Sequence, residues 1–221
     1  MTEHITARQF HADPSLAEWR VIGDGACTFF RTRSFVESAR LIQAISELPG
    51  LENHTPDVDL RQDGVTIRLI TITDDYYGMS QRDVELARQI SAAARRLGVS
   101  GDPSLVQSLL VIPGASITAE VMPFWRAVLG YEPRGDTPDE DLVDPRSRGP
   151  AFWFERMRES RQGGGAIHIA IWVPPEQAEA RVAAALAAGG HLVRDQFAPA
   201  WWTLADAADN EADIATTLTR D

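Results

Sequence analysis

The 221 residues carry 32 acidic against 21 basic side chains, a formal charge of −11, and such a surface repels nucleic-acid phosphates and anionic lipid headgroups alike. No apolar run approaches the roughly 20 residues of a membrane helix, and the opening MTEHITARQF has neither a basic cap nor an apolar signal core, so the cytoplasm is the expected compartment. All 21 basic residues are arginine, which excludes a lysine Schiff base, and the single cysteine, Cys27, excludes an internal disulfide. Cys27 lies in the apolar run ACTFF and reads as a buried thiol.

In chain order, ACTFFRT (26–32) predicts a strand, followed by the helix SFVESARLIQAISELPG. Ser34 and Glu37 have capping-box spacing, Phe35, Ala39, Ile42 and Ile45 share a face, and Pro49-Gly50 stops the helix. VTIRLITIT (65–73) alternates as a half-buried strand with Val65, Ile67 and Leu69 on one side. A second helix is expected from Ser80 to Leu97, with Leu86, Ile90, Ala94 and Leu97 as its stripe and Gly98 as its stop. This half is a small α+β unit.

VSGDP (99–103) reads as a linker, after which one pattern occurs twice. LVQSLLVIP (105–113) is a strand ending in proline that leads to a helix closing with FWRAVLG. AIHIAIWVP (166–174) is again such a strand, leading to EQAEARVAAALAAGG. Strand material follows each copy: AFWFERM in the first, and HLV, AWWTLA and ADIATT in the second. Pro123 is expected to kink or delay the first helix. Aligning the two prolines sets Gln107 against His168. The acidic stretch 133–149 is expected as a solvated hairpin or loop, with a binding lid as the alternative.

The order Trp19, Phe35, His54-x-Pro56, Thr71, Gly78, Ser80, Arg82, Asp83 across residues 10–98 resembles pterin-4a-carbinolamine dehydratase. In that family a His-His-Pro pair and a third histidine after the strand threonine surround a pterin and remove its 4a-hydroxyl as water. The resemblance implies His54 and Asp83 as catalytic residues, with Thr55, Pro56 and Thr71 lining the pterin. Tyr76 and Tyr77, beside Gly78, are candidates to flank a flat heterocycle, with loop packing as the alternative. It also implies a homo-oligomer. The second family histidine is Thr55 here and the third is Ile72. Dehydration needs one group to take a proton and another to give one, each role contributing roughly 10² to 10⁴ in rate, and isoleucine can do neither.

In AIHIAIWV, the residues Ile167, Ile169, Ile171 and Val173 make one apolar face fit to lie beneath a helix, while His168, Ala170 and Trp172 face the other way. With FWRAVLGY (124–131), WWTLAD (201–206) and NEADIA (210–215), this half resembles the glyoxalase-like, or vicinal-oxygen-chelate, superfamily of paired βαβββ modules. That resemblance implies Gln107, Glu155, His168 and Glu211 as ligands of a divalent metal such as Zn²⁺, Ni²⁺ or Mn²⁺, fit to polarise a carbonyl or enediolate. Most of the tryptophans read as core, while Trp172 and one of Trp201 and Trp202 are candidates to line a pocket for an apolar ring. The alternative is a metal-free barrel in which His168 is satisfied by its neighbours, Glu155 pairs with Arg156 or Arg158, and Glu211 is solvated.

The expected whole is an α+β protein of two domains. Residues 1–98 form a sheet with helices on one face, 99–103 link, and 104–221 form the paired modules. Three functions stay open at this point: a pterin carbinolamine dehydratase, a metal-dependent lyase or isomerase in the second half, and a non-catalytic ligand-binding or dimerisation protein.

Overall fold

The computed structural model describes residues 3–115, 117–156, 167–205 and 211–218. They divide into two compact units, Met1–Val106 with Thr217–Asp221, and Gln107–Thr216.

The first unit runs α1 (Ala7–His11), β1 (Arg20–Ile22), β2 (Gly25–Arg31), α2 (Phe35–Ser46), β3 (Asp57–Leu60), β4 (Gly64–Leu69), β5 (Thr71–Thr73), β6 (Tyr76–Gly78) and α3 (Gln81–Arg96). Four strands form an antiparallel sheet in the order β1-β2-β4-β3. The alternation in β4 does what it predicts: Val65, Ile67 and Leu69 are fully buried, and they meet Leu41 and Ile45 of α2 and Leu86, Ile90 and Ala94 of α3 in one core. Each such side chain contributes about 2 kcal/mol on leaving water. Trp19 is also fully buried, and its indole N–H donates to Ser91 Oγ at 2.9 Å.

Five expectations change here. The alternating run does not continue to residue 73, because the chain leaves the sheet after Leu69 and Thr71–Thr73 pairs with Tyr76–Gly78 as a separate two-stranded ribbon. On α2 the inward stripe is Ser38, Leu41 and Ile45, and Phe35 stands 57% exposed. Polar Ser38 is tolerated inside because its hydroxyl lies 2.6 Å from Thr32 Oγ1 and donates to the Arg61 carbonyl. Ser34 caps α2 by accepting from the Glu37 N–H, but Glu37 returns to the Arg33 N–H, one residue before the box position. Leu97, placed on the α3 stripe, is 43% exposed past the helix end, where Gly98 takes the left-handed turn at φ +73°. Residues 99–103, expected as a linker, are instead fastened to β2: Gly101 bridges Phe30, and the Asp102 N–H donates to the Phe29 carbonyl at 2.7 Å.

The second unit contains β7 (Ser108–Ala115), α4 (Thr118–Leu129), β8 (Glu132–Pro133), β9 (Asp141–Val143), β10 (Ala151–Trp153), β11 (Glu155–Arg156), β12 (Ile167–Trp172), α5 (Pro175–Ala187), β13 (His191–Arg194), β14 (Trp201–Ala205) and β15 (Glu211–Ala215). Among its described residues nine strands make one mixed sheet in the order β13-β14-β15-β12-β7-β10-β9-β8, with β11 also on β7. The repeated strands β7 and β12 meet antiparallel at its centre. Val111 and Phe152 pack with Val121, Met122 and Trp125 of α4, and Ile171, Leu204 and Ile214 pack with Ala178 and Val182 of α5. Both helices therefore cover one face, and period-2 alternation turns His168, Ala170 and Trp172 to the other. Pro123 lies inside α4, which runs on to Gly130 at φ +67°. The acidic stretch is a hairpin, β8 on β9, with Asp144 gathering the N–H groups of Arg146, Arg148 and Gly149.

Candidate functional site

His54 closes a short 3-10 turn at Leu51–Asn53 and adopts an extended backbone just before β3. Asp83 is in the first turn of α3, where Ser80 as N-cap and Asp83 form a reciprocal capping box. The two side chains meet: His54 Nε2 lies 2.8 Å from Asp83 Oδ1. The other carboxylate oxygen, Oδ2, is 2.7 Å from Thr71 Oγ1 and 3.0 Å from Ser80 Oγ, and accepts the Ser80 N–H at 2.8 Å. Asp83 is wholly buried and His54 keeps 15% of its side-chain surface.

Burial pushes the Asp83 carboxyl up, but the hydrogen bonds from His54, Thr71 and Ser80 outweigh it and hold the group below the ordinary carboxylate range. An ionised Asp83 requires His54 Nε2 to be the donor. That leaves Nδ1 as the atom that can take or give a proton. The capping box is a structural device and the anchor of an imidazole at once.

Among the other residues expected here, Thr55 is exposed and Pro56 half-buried, on either side of the β3 entrance. Thr71 is buried, and its hydroxyl is spent on Asp83 and Ser80, so it positions the carboxylate. Ile72 is 51% exposed. It pairs with Tyr77 across the ribbon and points opposite to Thr71. Tyr76 donates its hydroxyl to the Met79 carbonyl at 2.6 Å, and one face of its ring is covered by His4, stacked at 3.5 Å and 4°. Asp57 and Asp59, near His54 in sequence, pair with Arg68 and Arg61 instead. Sequence reasoning missed His4, because no motif surrounds it, and treated Ser80 as a cap alone.

In the second unit, Gln107 does not meet His168. His168 lies opposite Ile112 and Ser108 opposite Trp172, so Gln107 and His168 are five residues apart along the ladder, about 16 Å at ~3.3 Å per residue. Gln107 Oε1 instead accepts from Arg181 at 3.3 Å. His168 Nε2 faces Asp213 Oδ2 at 3.4 Å, and Asp213 Oδ1 accepts the Thr203 hydroxyl at 2.7 Å. Glu211 precedes Ala212, the partner of Ile169, and so stands beside His168, but its carboxylate faces Arg194 at 3.5 Å. Glu155 pairs with Gly114 on the far side of β7.

Trp172 shares the His168 face, and Trp202 packs into the α5 core, which leaves Trp201 on that face beside Thr203. Arg158 and residues 206–210 lie outside the described residues. Among the described residues no group of three or more His, Cys, Asp or Glu could hold a metal ion. The four expected donors do not fit a divalent ion as one set.

Residues 2–93 match the family described as Pterin 4 alpha carbinolamine dehydratase, and residues 111–215 match the one described as Glyoxalase-like domain. A protein of Nocardia farcinica named "Putative pterin-4-alpha-carbinolamine dehydratase" is 34% identical over 80 residues, 36% of this chain and 82% of that protein. One of the same name from Acidobacterium capsulatum is 31% identical over 78 residues, 35% of this chain and 83% of that one. No helix among the described residues is long and apolar enough to cross a membrane. A His54–Asp83 pair on the matched elements, with the two relatives, places the chain in the pterin-4a-carbinolamine dehydratase family, fused to a glyoxalase-like domain.

Proposed function

We propose that the first unit dehydrates a 4a-hydroxytetrahydropterin, with His54 moving the proton and Asp83 organising it. In this reaction the ring N–H next to the hydroxyl-bearing carbon loses its proton, the C–O bond breaks with its electron pair leaving on oxygen, and a C=N bond forms as water departs. The observation that carries the reading is the 2.8 Å contact of a partly accessible imidazole with a fully buried carboxylate. Thr55 and Pro56 flank the approach to His54, and a pterin edge would meet them there. With Thr55 and Ile72 in place of two imidazoles, turnover is slow beside that of a three-histidine site. The test is the rate of quinonoid dihydropterin formation over the spontaneous reaction. The wild type is expected to exceed it and His54→Ala to lose about 10² of that rate; a wild type no faster than buffer rejects the reading.

A second reading, pterin binding without turnover, draws on Ile72, an exposed alkyl chain where the family carries a proton donor. Fluorescence titration with a pterin separates it from the first: saturable binding without rate is its signature. For the second unit we infer a small-molecule site on the face of the sheet opposite its helices, the face that carries Trp172, Trp201 and His168. We also infer a cytoplasmic homo-oligomer. Its support is β3, the edge strand of the first sheet, which presents Val58 at 41% exposure. Light scattering that finds a monomer at every concentration overturns that.

A further inference from the structure

Two proton-carrying positions of the dehydratase site are filled by Thr55 and Ile72, yet a different imidazole stands beside the Asp83 anchor. His4 forms an antiparallel bridge with Ser80, and the flanking main chain fastens it there: the Ile5 N–H donates to the Met79 carbonyl at 3.0 Å and the Gln81 N–H to the Glu3 carbonyl at 2.9 Å. Bridged residues carry their Cβ atoms on one side, about 5 Å apart. Ser80 Oγ is bonded to Asp83 and Thr71, so the His4 side chain leaves the backbone on the Asp83 side.

Its ring is then fixed by the parallel stack on Tyr76, whose hydroxyl is itself tied to the Met79 carbonyl. Tyr76 and Thr71 lie on the same face of the β5-β6 ribbon, because Thr73 pairs with Tyr76 and Thr71 with Gly78. The capping box of α1, Thr6 with Gln9, holds the segment immediately after His4. An exposed ring held this firmly, beside a buried carboxylate that already orients another imidazole, is more than packing requires.

We propose that His4 is the second proton-carrying group of the site, supplied by the N-terminal segment in place of the imidazoles absent at Thr55 and Ile72. The inference rests on the dehydratase reading above. His54, with Nε2 committed to Asp83, accepts the ring N–H proton at Nδ1. His4, exposed and able to exchange with water, enters as imidazolium and gives its proton to the departing hydroxyl. The C–O electron pair leaves in water, the N–H pair becomes the C=N bond, and solvent restores both imidazoles.

Glutamine at position 4 keeps a planar group over Tyr76 but cannot give up a proton, so His4→Gln is expected to lower kcat about 10²-fold with pterin affinity by fluorescence unchanged. In His4→Gly, added imidazole is expected to restore rate in a saturable way, beyond what imidazole does in the enzyme-free buffer. Wild-type kcat in His4→Gln overturns the proposal while leaving His54 in place. So does a loss of rate in both variants that imidazole does not rescue, which marks His4 as a clasp for Tyr76. A wild type without turnover overturns the underlying dehydratase reading as well, and is told apart by that control.

Discussion

Two histidine–aspartate pairs among the described residues differ instructively. Asp83 is wholly buried, sits in the first turn of a helix, and meets His54 at 2.8 Å while its second oxygen is surrounded by Thr71 and Ser80. Asp213 lies on a strand, keeps 14% of its side-chain surface, has one hydroxyl donor, and faces His168 at 3.4 Å. A carboxylate fixes an imidazole only when its own lone pairs are satisfied in a geometry it cannot leave. The helix start supplies that through unsatisfied N–H groups and the positive end of its dipole. A strand has its N–H groups committed to the ladder, so Asp213 depends on one neighbour's hydroxyl and on solvent.

The largest expected effect follows directly. Asp83→Ala removes the acceptor for a ring N–H, a backbone N–H and two hydroxyls in a dry place, and is expected to destabilise the protein by about 3 to 5 kcal/mol, read as a shift in denaturant midpoint. Asp213→Ala, partly solvated on both sides, is expected to cost about 1 kcal/mol or less. Equal losses would break the comparison. A double-mutant cycle sharpens it: coupling of His54→Gln with Asp83→Asn should exceed about 1 kcal/mol, and that of His168→Gln with Asp213→Asn should vanish within error.

Thr71→Val is the next smaller probe. It keeps shape and deletes the hydroxyl from both Asp83 and Ser80, for an expected loss of about 1 to 2 kcal/mol. Because His54 is oriented through Asp83, the same variant should also lower the dehydration rate with little change in pterin affinity. A variant that weakens binding and leaves kcat alone would instead put Thr71 against the pterin.

Much of this was legible in the residues, and the failures share a cause. The capping box at Ser80, the stop at Gly98 and the alternation of Val65, Ile67 and Leu69 are local signals, and each appears in the structure where the sequence places it. On α2 the expected stripe is half right: Ile42 and Ile45 pack at the core while Phe35 and Ala39 are exposed, because Leu41 and Ile45 with Ser38 form as good a stripe. Only the position of the sheet, and the partners that Thr32 and Arg61 offer Ser38, decide between them. Gln107 failed for a geometric reason. Residues equivalent in a repeat keep a constant difference in number, whereas residues facing each other across antiparallel β7 and β12 keep a constant sum, so equivalent positions away from the centre move apart. His4 and Tyr76 carry no shared motif. Their stack exists because the first residues of the chain bridge to Ser80, a contact no local pattern announces.

The smallest expected effect is acid lability confined to one unit. Asp83 is held low by its hydrogen bonds against the opposing pull of burial, and Asp13, hydrogen-bonded by Ser15 and Arg88, is lowered from 3.8 to about 2. A carboxyl whose folded pKa is depressed contributes stability that is present above its unfolded value and is lost as pH falls through the folded one. Both groups belong to the first unit, so that unit should weaken from about pH 4 downward, with Asp13's part gone near pH 2. Asp13 is partly solvated, which keeps its share small and sensitive to salt. In the second unit Asp144 is lowered as well, by the N–H groups of Arg146 and Gly149, but it is only half-buried just past β9 and belongs to neither hydrophobic cluster of that unit. The six tryptophans give the measurement. Trp19 belongs to the first unit and its indole N–H is bonded to buried Ser91, so in an acid titration followed by NMR its signal should fade before the indole signals of Trp125, Trp153, Trp172, Trp201 and Trp202. Loss of those five ahead of Trp19 would show that the solvated carboxylates of the second unit matter more to its fold than the buried Asp83 does to the first.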